Sequence, residues 1–219
     1  MQMGYMFRYH QGFQQIAQWV HGGLLGDVFS LRAHMSTWLP LHAPGWTTTG
    51  RRDLAAHRGG IFYDLAGHML DQVVWLLGRP QRVRAVLRND ASPELPDFRD
   101  NTLGLFEFAR ALATVDIAAM EAGPQARRFE VHGTRGSAVM EPFEPSPRLR
   151  LCLADPAEPH VAGWQDVPLP EQQRQALYER ELAAFVAALR GRRAPDRSLQ
   201  HELLVQETLL RATGDLPAD

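Results

Sequence analysis

Asp64 and His68 are the residues of this chain whose types and spacing most directly suggest chemistry. They lie in the segment Gly59-Gly60-Ile61-Phe62-Tyr63-Asp64-Leu65-Ala66-Gly67-His68, where a glycine pair leads into an otherwise apolar run. On a helix, a four-residue spacing puts two side chains on one face, one turn apart. A carboxylate beside an imidazole holds its tautomer, raises its pKa and makes a proton mobile near neutral pH. Asp71 and Trp75 extend the same stripe, while Leu65, Met69, Val73, Leu76 and Phe62, Leu70, Val74, Leu77 fill most of the remaining circumference. A helix apolar on most sides is buried on most sides, so its polar stripe is expected to face water or a cavity. The competing reading is structural, with Asp64 capping the helix and His68 bonded to a nearby carbonyl.

A second group lies upstream. Residues 39–58 are rich in Pro, Gly, Thr, His and Arg and read as one long loop, a length that in a compact domain marks function or disorder. With its flank the loop offers Trp38, His42, Trp46, Arg51, Arg52, His57 and Arg58. Aromatic faces and guanidinium forks suit sugar rings, hydroxyls and carboxylates. Trp38, Trp46, Arg51 and His57, together with Arg8, are therefore the candidate substrate contacts; the same residues also fit a solvated loop with a few aromatics tucked onto the core. A metal site would have to pool His34, His42, His57, His68 and Asp64, a zinc-like set with no short histidine spacing behind it. Gly133-Thr134-Arg135-Gly136 has neither the Walker nor the dinucleotide glycine spacing and reads as a hairpin turn. The chain contains no Gly-x-Gly-x-x-Gly, serine nucleophile elbow or catalytic cysteine setting.

The elements that must position these residues follow from periodicity. Residues 1–8 read as a short strand. Gln11 to Leu25 has helical spacing and ends in glycines, and Val28 to Trp38 alternates as a strand. Ile61 to Leu77 is a helix stopped by Gly78-Arg79-Pro80. Period-two patterns then place strands at 83–87, 101–108 and 113–119, a hairpin at 127–132 and 137–140, and weaker strands at 149–153 and 161–167. Prolines at 142–147 and 156–159 demote that last region to edge strand or loop. Glu171 to Arg190 is a helix with Leu177, Leu182, Phe185, Val186 and Leu189 on one face, and Ser198 caps a final helix reaching about Leu210. Strands grouped together and helices grouped apart predict an α+β fold. The expected architecture is an open, mostly antiparallel (mixed) β-sheet with helices packed on one face and the other face available for oligomerisation.

Composition bounds the rest. The chain has 219 residues, 45% hydrophobic and 22% charged, with a net charge of −2. That balance gives no electrostatic pull toward nucleic acid or an anionic membrane. The only cysteine is Cys152, so no intrachain disulfide can form. No apolar run is long enough to span a bilayer and the N-terminus lacks a signal-peptide pattern, so a cytoplasmic location is expected. All 23 of the Lys+Arg residues are arginine.

Several landmarks, in order, resemble a known family. They are Gly4-Tyr5-Met6-Phe7-Arg8-Tyr9-His10, Leu25-Gly26-Asp27-Val28, the Gly59–Asp64 and His68-Met69-Leu70-Asp71 block with Trp75-Leu76-Leu77-Gly78, Asp100-Asn101-Thr102, and Val131-His132-Gly133-Thr134-Arg135-Gly136-Ser137. Together they resemble the C-terminal substrate and oligomerisation domain of the glucose–fructose oxidoreductase / inositol dehydrogenase / MocA family of NAD(P)-dependent oxidoreductases. The resemblance implies that His68 is the acid/base for a substrate hydroxyl and that Asp64 assists it. It also implies NAD or NADP as cofactor, a sugar- or cyclitol-like alcohol as substrate, and a homo-oligomer formed through the open sheet face. Residues 1–10 would be the last strand and linker of a nucleotide-binding domain, and 11–219 the substrate domain.

Two features depart from the family pattern. The dinucleotide-binding domain is absent, and so is the lysine of the Glu-Lys-Pro motif with which the family's histidine works. This chain is therefore not expected to bind NAD(P) or transfer hydride alone. Two other readings stand beside this one: a stand-alone, non-catalytic sugar-binding or oligomerisation module, and a metal-dependent lyase or hydrolase using Asp64 and His68.

Overall fold

A computed structural model describes residues 2–39, 57–122, 127–144 and 147–217. Eight strands form one sheet in the order β2-β3-β4-β1-β5-β6-β7-β8. They are β1 (Val28–His34), β2 (Arg82–Arg88), β3 (Asn101–Glu107), β4 (Leu112–Ala118), β5 (Arg128–Gly133), β6 (Gly136–Met140), β7 (Leu149–Leu153) and β8 (Gly163–Val167). Among the described residues four α-helices accompany them: α1 (Gln11–His21), α2 (Gly60–Leu77), α3 (Arg174–Leu189) and α4 (Leu199–Thr213). The α+β class and the open, mostly antiparallel sheet are as the sequence predicts.

The sheet is mixed because β1 pairs parallel with β4 and antiparallel with β5, while every other pairing is antiparallel. A parallel neighbour needs a long crossover, and here α2 and the β2–β3 hairpin supply it. Side-chain alternation separates the two faces. Ala85, Gly104, Val115, Ala33, Phe129, Met140, Leu149 and Val167 stand in register across all eight strands and form an apolar row. The adjacent row, Arg84, Leu105, Thr114, Arg32, Glu130, Val139, Arg150 and Asp166, points the other way and mixes charge with apolar groups. Because the strand period is two, a one-residue slip would exchange these rows, so burial of one face fixes the register. α2 packs on β3 and β4, and α4 packs on α2 and β2.

Three expectations are corrected. Residues 1–8 do not make a strand: Met6–Tyr9 form a 3-10 helix, all four residues buried. The segment lies under α1, α2 and α3 instead of extending the sheet. Second, β7 is an interior strand between β6 and β8 despite the flanking prolines, which fall outside its paired residues. Third, α3 buries fully only Leu177 and Ala184, while Leu182 is 63% and Leu189 71% exposed.

Candidate functional site

The polar stripe of α2 is partly covered by the N-terminal segment and α4: Asp71 is buried, while Asp64, His68 and Trp75 stay partly exposed, and Trp75 borders a cleft of about 400 Å³ with Arg8 and Arg197. Tyr5 and Phe7 set their rings edge-on to His68, with centroids 5.5 and 5.6 Å away. Gly67 permits the approach, since a Cβ there would stand 2.7 Å from the Tyr5 hydroxyl. One turn on, Arg8 reaches Asp71: its Nε donates to both carboxylate oxygens at 3.1 and 3.0 Å, and Nη2 to Oδ1 at 2.6 Å. The same guanidinium grips Glu202 of α4, through Nη1 at 2.7 Å and Nη2 at 2.9 Å. His201 Nε2 lies 2.8 Å from Asp71 Oδ1. At the far end of the stripe, Arg197 stacks on Trp75 with 3.6 Å from its Cζ to the ring centroid.

This cluster is dry. Arg8, Asp71 and Glu202 are 3%, 0% and 1% exposed. Burial raises the Asp71 pKa, but hydrogen bonds from His201 and Arg8 outweigh it and hold the carboxyl below its usual range. Burial likewise opposes the Arg8 charge and is outweighed by Glu202 and Asp71. A guanidinium shared by two carboxylates in fork geometry is the arrangement in which such burial is tolerated.

His68 is half-buried, and its Nδ1 is enclosed with no hydrogen-bond partner, which leaves Nε2 as the nitrogen open to a ligand. Burial lowers its pKa to about 4, with Arg174 and Arg127 adding to the effect and Asp71 opposing it. The expectation that Asp64 raises the His68 pKa is therefore corrected: the acidic group acting on the ring is Asp71, and the shift is downward. Asp64 is half-buried and engaged in an interaction of its own.

The other anticipated contacts are dispersed. Arg8 is committed to the ion cluster. His57 stacks flat on Tyr63 with centroids 3.5 Å apart and accepts the Gly59 N–H through Nδ1. Trp38 bridges to Met120 beside the end of β1 and is 44% exposed. Trp46 and Arg51, with His42 and Arg52, fall outside the described residues. His34 sits on the open sheet face between Asp116 and Glu121, which raise its pKa. Among the described residues no group of three or more His, Cys, Asp or Glu side chains is placed to hold a metal ion.

Beyond Phe7 lies a cavity of about 710 Å³. Its walls include His10, Arg127, Phe143, Glu144, Arg174 and Leu177. Phe7 packs between His68 and Phe143, 5.3 Å from the latter, so the imidazole stands one aromatic ring behind the cavity wall. His10 is fixed as a neutral ring: Nδ1 accepts from the Gly12 N–H, Nε2 donates to the Phe143 carbonyl, and burial lowers its pKa to about 4.

The described residues do not fit a pyrophosphate. The glycine pair at the start of α2 is filled by the protein itself. Gly60 adopts φ +51, and a Cβ on it would stand 2.3 Å from the Arg99 carbonyl oxygen, while one on Gly59 would meet Thr213 at 2.4 Å. Ile61 N–H donates to that Arg99 carbonyl at 2.9 Å. These glycines let the helix dock, and they leave no open backbone cradle of the dinucleotide kind.

Sequence reasoning missed Glu202, Arg127, Glu144 and Arg174. Glu202 had a signal: it falls on the buried stripe of α4 with Val205, Leu209 and Ala212, where a carboxylate demands a buried partner. Arg127 and Glu144 lie in coil flanking β5 and β6, where periodicity carries no information.

Residues 13–139 match the GFO/IDH/MocA C-terminal domain, and the chain belongs to that family of NAD(P)-dependent oxidoreductases. It is 32% identical over 126 residues to the Escherichia coli (strain K12) uncharacterized oxidoreductase YdgJ, covering 56% of this chain and 33% of that protein. Against YhhX of the same organism the identity is 24% over 169 residues, 75% of this chain and 44% of the relative. Its fold is that of levoglucosan dehydrogenase in complex with NADH and L-sorbose, with TM-score 0.75, 18% identity and coverage of 96% of this chain and 63% of that one. The aldose–aldose oxidoreductase of Caulobacter crescentus complexed with glycerol gives TM-score 0.74 and 20% identity, covering 97% and 61%. The chain thus spans a third to under half of the curated relatives it matches and about three fifths of these solved structures.

Proposed function

We propose that this chain is the substrate-binding portion of an NAD(P)-dependent oxidoreductase acting on a sugar- or cyclitol-like alcohol, with the nicotinamide held by a domain outside it. The observation that carries the reading is His68, a half-buried imidazole with Nδ1 sealed, one ring behind the wall of a cavity in a domain of this family. Oxidation of a carbinol requires a base at the hydroxyl, and His68 Nε2 takes that proton. Asp64, on the preceding turn, assists the hydroxyl, and Trp38, Trp46, Arg51 and His57 hold the substrate. Arg8 acts one step back: by fixing Asp71 it positions the helix that carries His68. The substrate classes named for two solved relatives, levoglucosan with L-sorbose and an aldose, are polyhydroxylated, which supports a polyol substrate here. The open sheet face, where Val86, Leu103 and Leu112 are exposed among charged neighbours, packs against a second copy.

The test is a fusion of this chain behind a nucleotide-binding domain of the family, assayed for NAD(P)-linked oxidation of a polyol panel. Turnover that falls about 10²-fold or more in His68→Ala, with the fold intact by circular dichroism, supports the role. Unchanged turnover in that variant leaves His68 a core residue and refutes it.

A further inference from the structure

The cavity beyond Phe7 has a charge pattern the alcohol-oxidising role does not use. Arg127 is 7% exposed, and its Nε is buried without a hydrogen-bond partner. Its Nη1 pairs with Glu144, and the same carboxylate lies 3.6 Å from Arg174. Two guanidiniums thus share one close carboxylate at the cavity wall, with Glu121 acting on Arg127 from farther away, and the buried Arg127 Nε keeps an unused donor. Glu171 lies at the rim, exposed, and forms no ion pair among the described residues. Arg174 is also the first residue of α3, whose N-cap Gln173 makes no side-chain cap, so the positive end of a 16-residue helix lies at the same wall. Phe143, Leu169 and Leu177 supply apolar wall, and His10, neutral and already bonded at both nitrogens, adds no charge.

We propose that this cavity is a binding site for a small organic carboxylate, held between Arg127 and Arg174 with the ligand's apolar or hydroxylated body against Phe143 and Leu177. With carboxylates already beside both arginines, a monoanion fits better than a phosphate dianion, and the planar guanidinium fork matches a carboxylate in two contacts. The site is coupled to the candidate base, because Arg174 and Arg127 add to the burial that chiefly lowers the His68 pKa, with Asp71 opposing them. A carboxylate lying on the arginines cancels their field at the ring. Its arrival raises the His68 pKa by the smaller, electrostatic part of the shift, while burial keeps the ring below its ordinary value. Only this coupling rests on the oxidoreductase reading; the anion site stands on the cavity alone.

The experiment is calorimetric titration of the 219-residue chain, without nicotinamide, with D-gluconate, D-glucose and inorganic phosphate. Gluconate is expected to bind, glucose to bind at least about tenfold more weakly, and phosphate to fall below gluconate. Arg174→Gln, at a half-exposed position that tolerates change, should weaken gluconate about tenfold. Glu144→Gln should tighten it by freeing both guanidiniums, a gain that a merely structural role does not give. An NMR titration of His68 should move to higher pH with gluconate bound. Equal affinity for glucose, tighter binding of phosphate, indifference to both variants, or no gluconate binding would each overturn the site. None of those outcomes touches the role of His68 as base, which the fusion assay decides separately. If gluconate is also oxidised by the fusion, the carboxylate belongs to the substrate; if it binds and only alters oxidation of a neutral polyol, it is an effector.

Discussion

At the scale of single residues, burial decides what each ionisable group does. His68 and His10 both have pKa values lowered to about 4 by burial, against an ordinary 6.5. The unfolded chain therefore binds protons in a range where the folded one does not. Stability is full above pH 6.5 and falls as pH drops from there toward 4, by about 1.4 kcal/mol per pH unit for each histidine. The loss from Asp71, whose carboxyl is held low, begins only below its ordinary pKa of 3.8. Urea denaturation across pH 4–7 should show the histidine slope, and His10→Gln or His68→Gln should each flatten part of it; an unchanged slope in both would contradict the assignment. The Arg8 cluster gives a second expectation. Asp71→Asn leaves a buried guanidinium half-paired and should cost about 3–5 kcal/mol by denaturant midpoint. Replacing Arg8, Asp71 and Glu202 together by apolar residues of similar volume should recover much of that, since the desolvation term goes with the charges.

At the scale of elements, α2 is the organising piece, and its glycines explain how it docks. The Gly59-Gly60 pair that leads into the helix serves its docking. In the fold it brings the start of α2 against the backbone of Arg99 and the side chain of Thr213. Gly60→Ala would meet both a left-handed backbone and a main-chain oxygen, costing more than about 2 kcal/mol. Gly67→Ala meets only the end of the Tyr5 side chain, which can yield, so about 1–2 kcal/mol is expected, with a change in Tyr5 fluorescence as the ring moves. Helix boundaries and strand positions were readable because glycine stops and period-two runs are local signals. The N-terminal segment was misread for the same reason. Tyr5, Met6 and Phe7 look like a strand by composition, but α1, α2 and α3 together enclose them as a 3-10 turn. No local pattern carries that information.

For the whole molecule, the sheet has one face sealed by helices and one face of mixed character. If the open face meets a second copy, Leu103→Asp, at a position 44% exposed, should shift the chain toward monomer by light scattering without lowering its denaturation midpoint by more than about 0.5 kcal/mol. An unchanged mass, dimeric or monomeric in both proteins, would remove that face from consideration. The glycine pair at the start of α2 is filled by Arg99 and Thr213 and offers a pyrophosphate no cradle, so titration with NAD(H) or NADP(H) should show no binding; micromolar affinity would overturn that expectation. Among the described residues no helix is long and apolar enough to cross a membrane.

The sequence by itself determined the α+β class, the positions of the eight strands along the chain, the extent of α2 and the family, because these rest on periodicity, turn residues and short motifs that neighbours in the chain express. It also marked Asp64 and His68 as a pair on one helix face. Only the tertiary structure decided what covers that face. Arg8 lies 63 residues from Asp71 and 194 from Glu202 along the chain, yet one guanidinium joins all three. The same packing sealed Nδ1 of His68, lowered its pKa instead of raising it, and set Arg127 and Arg174 within reach of its charge. A pKa and an ion cluster are properties of what surrounds a group in space, and helical spacing fixes only the neighbours one turn away.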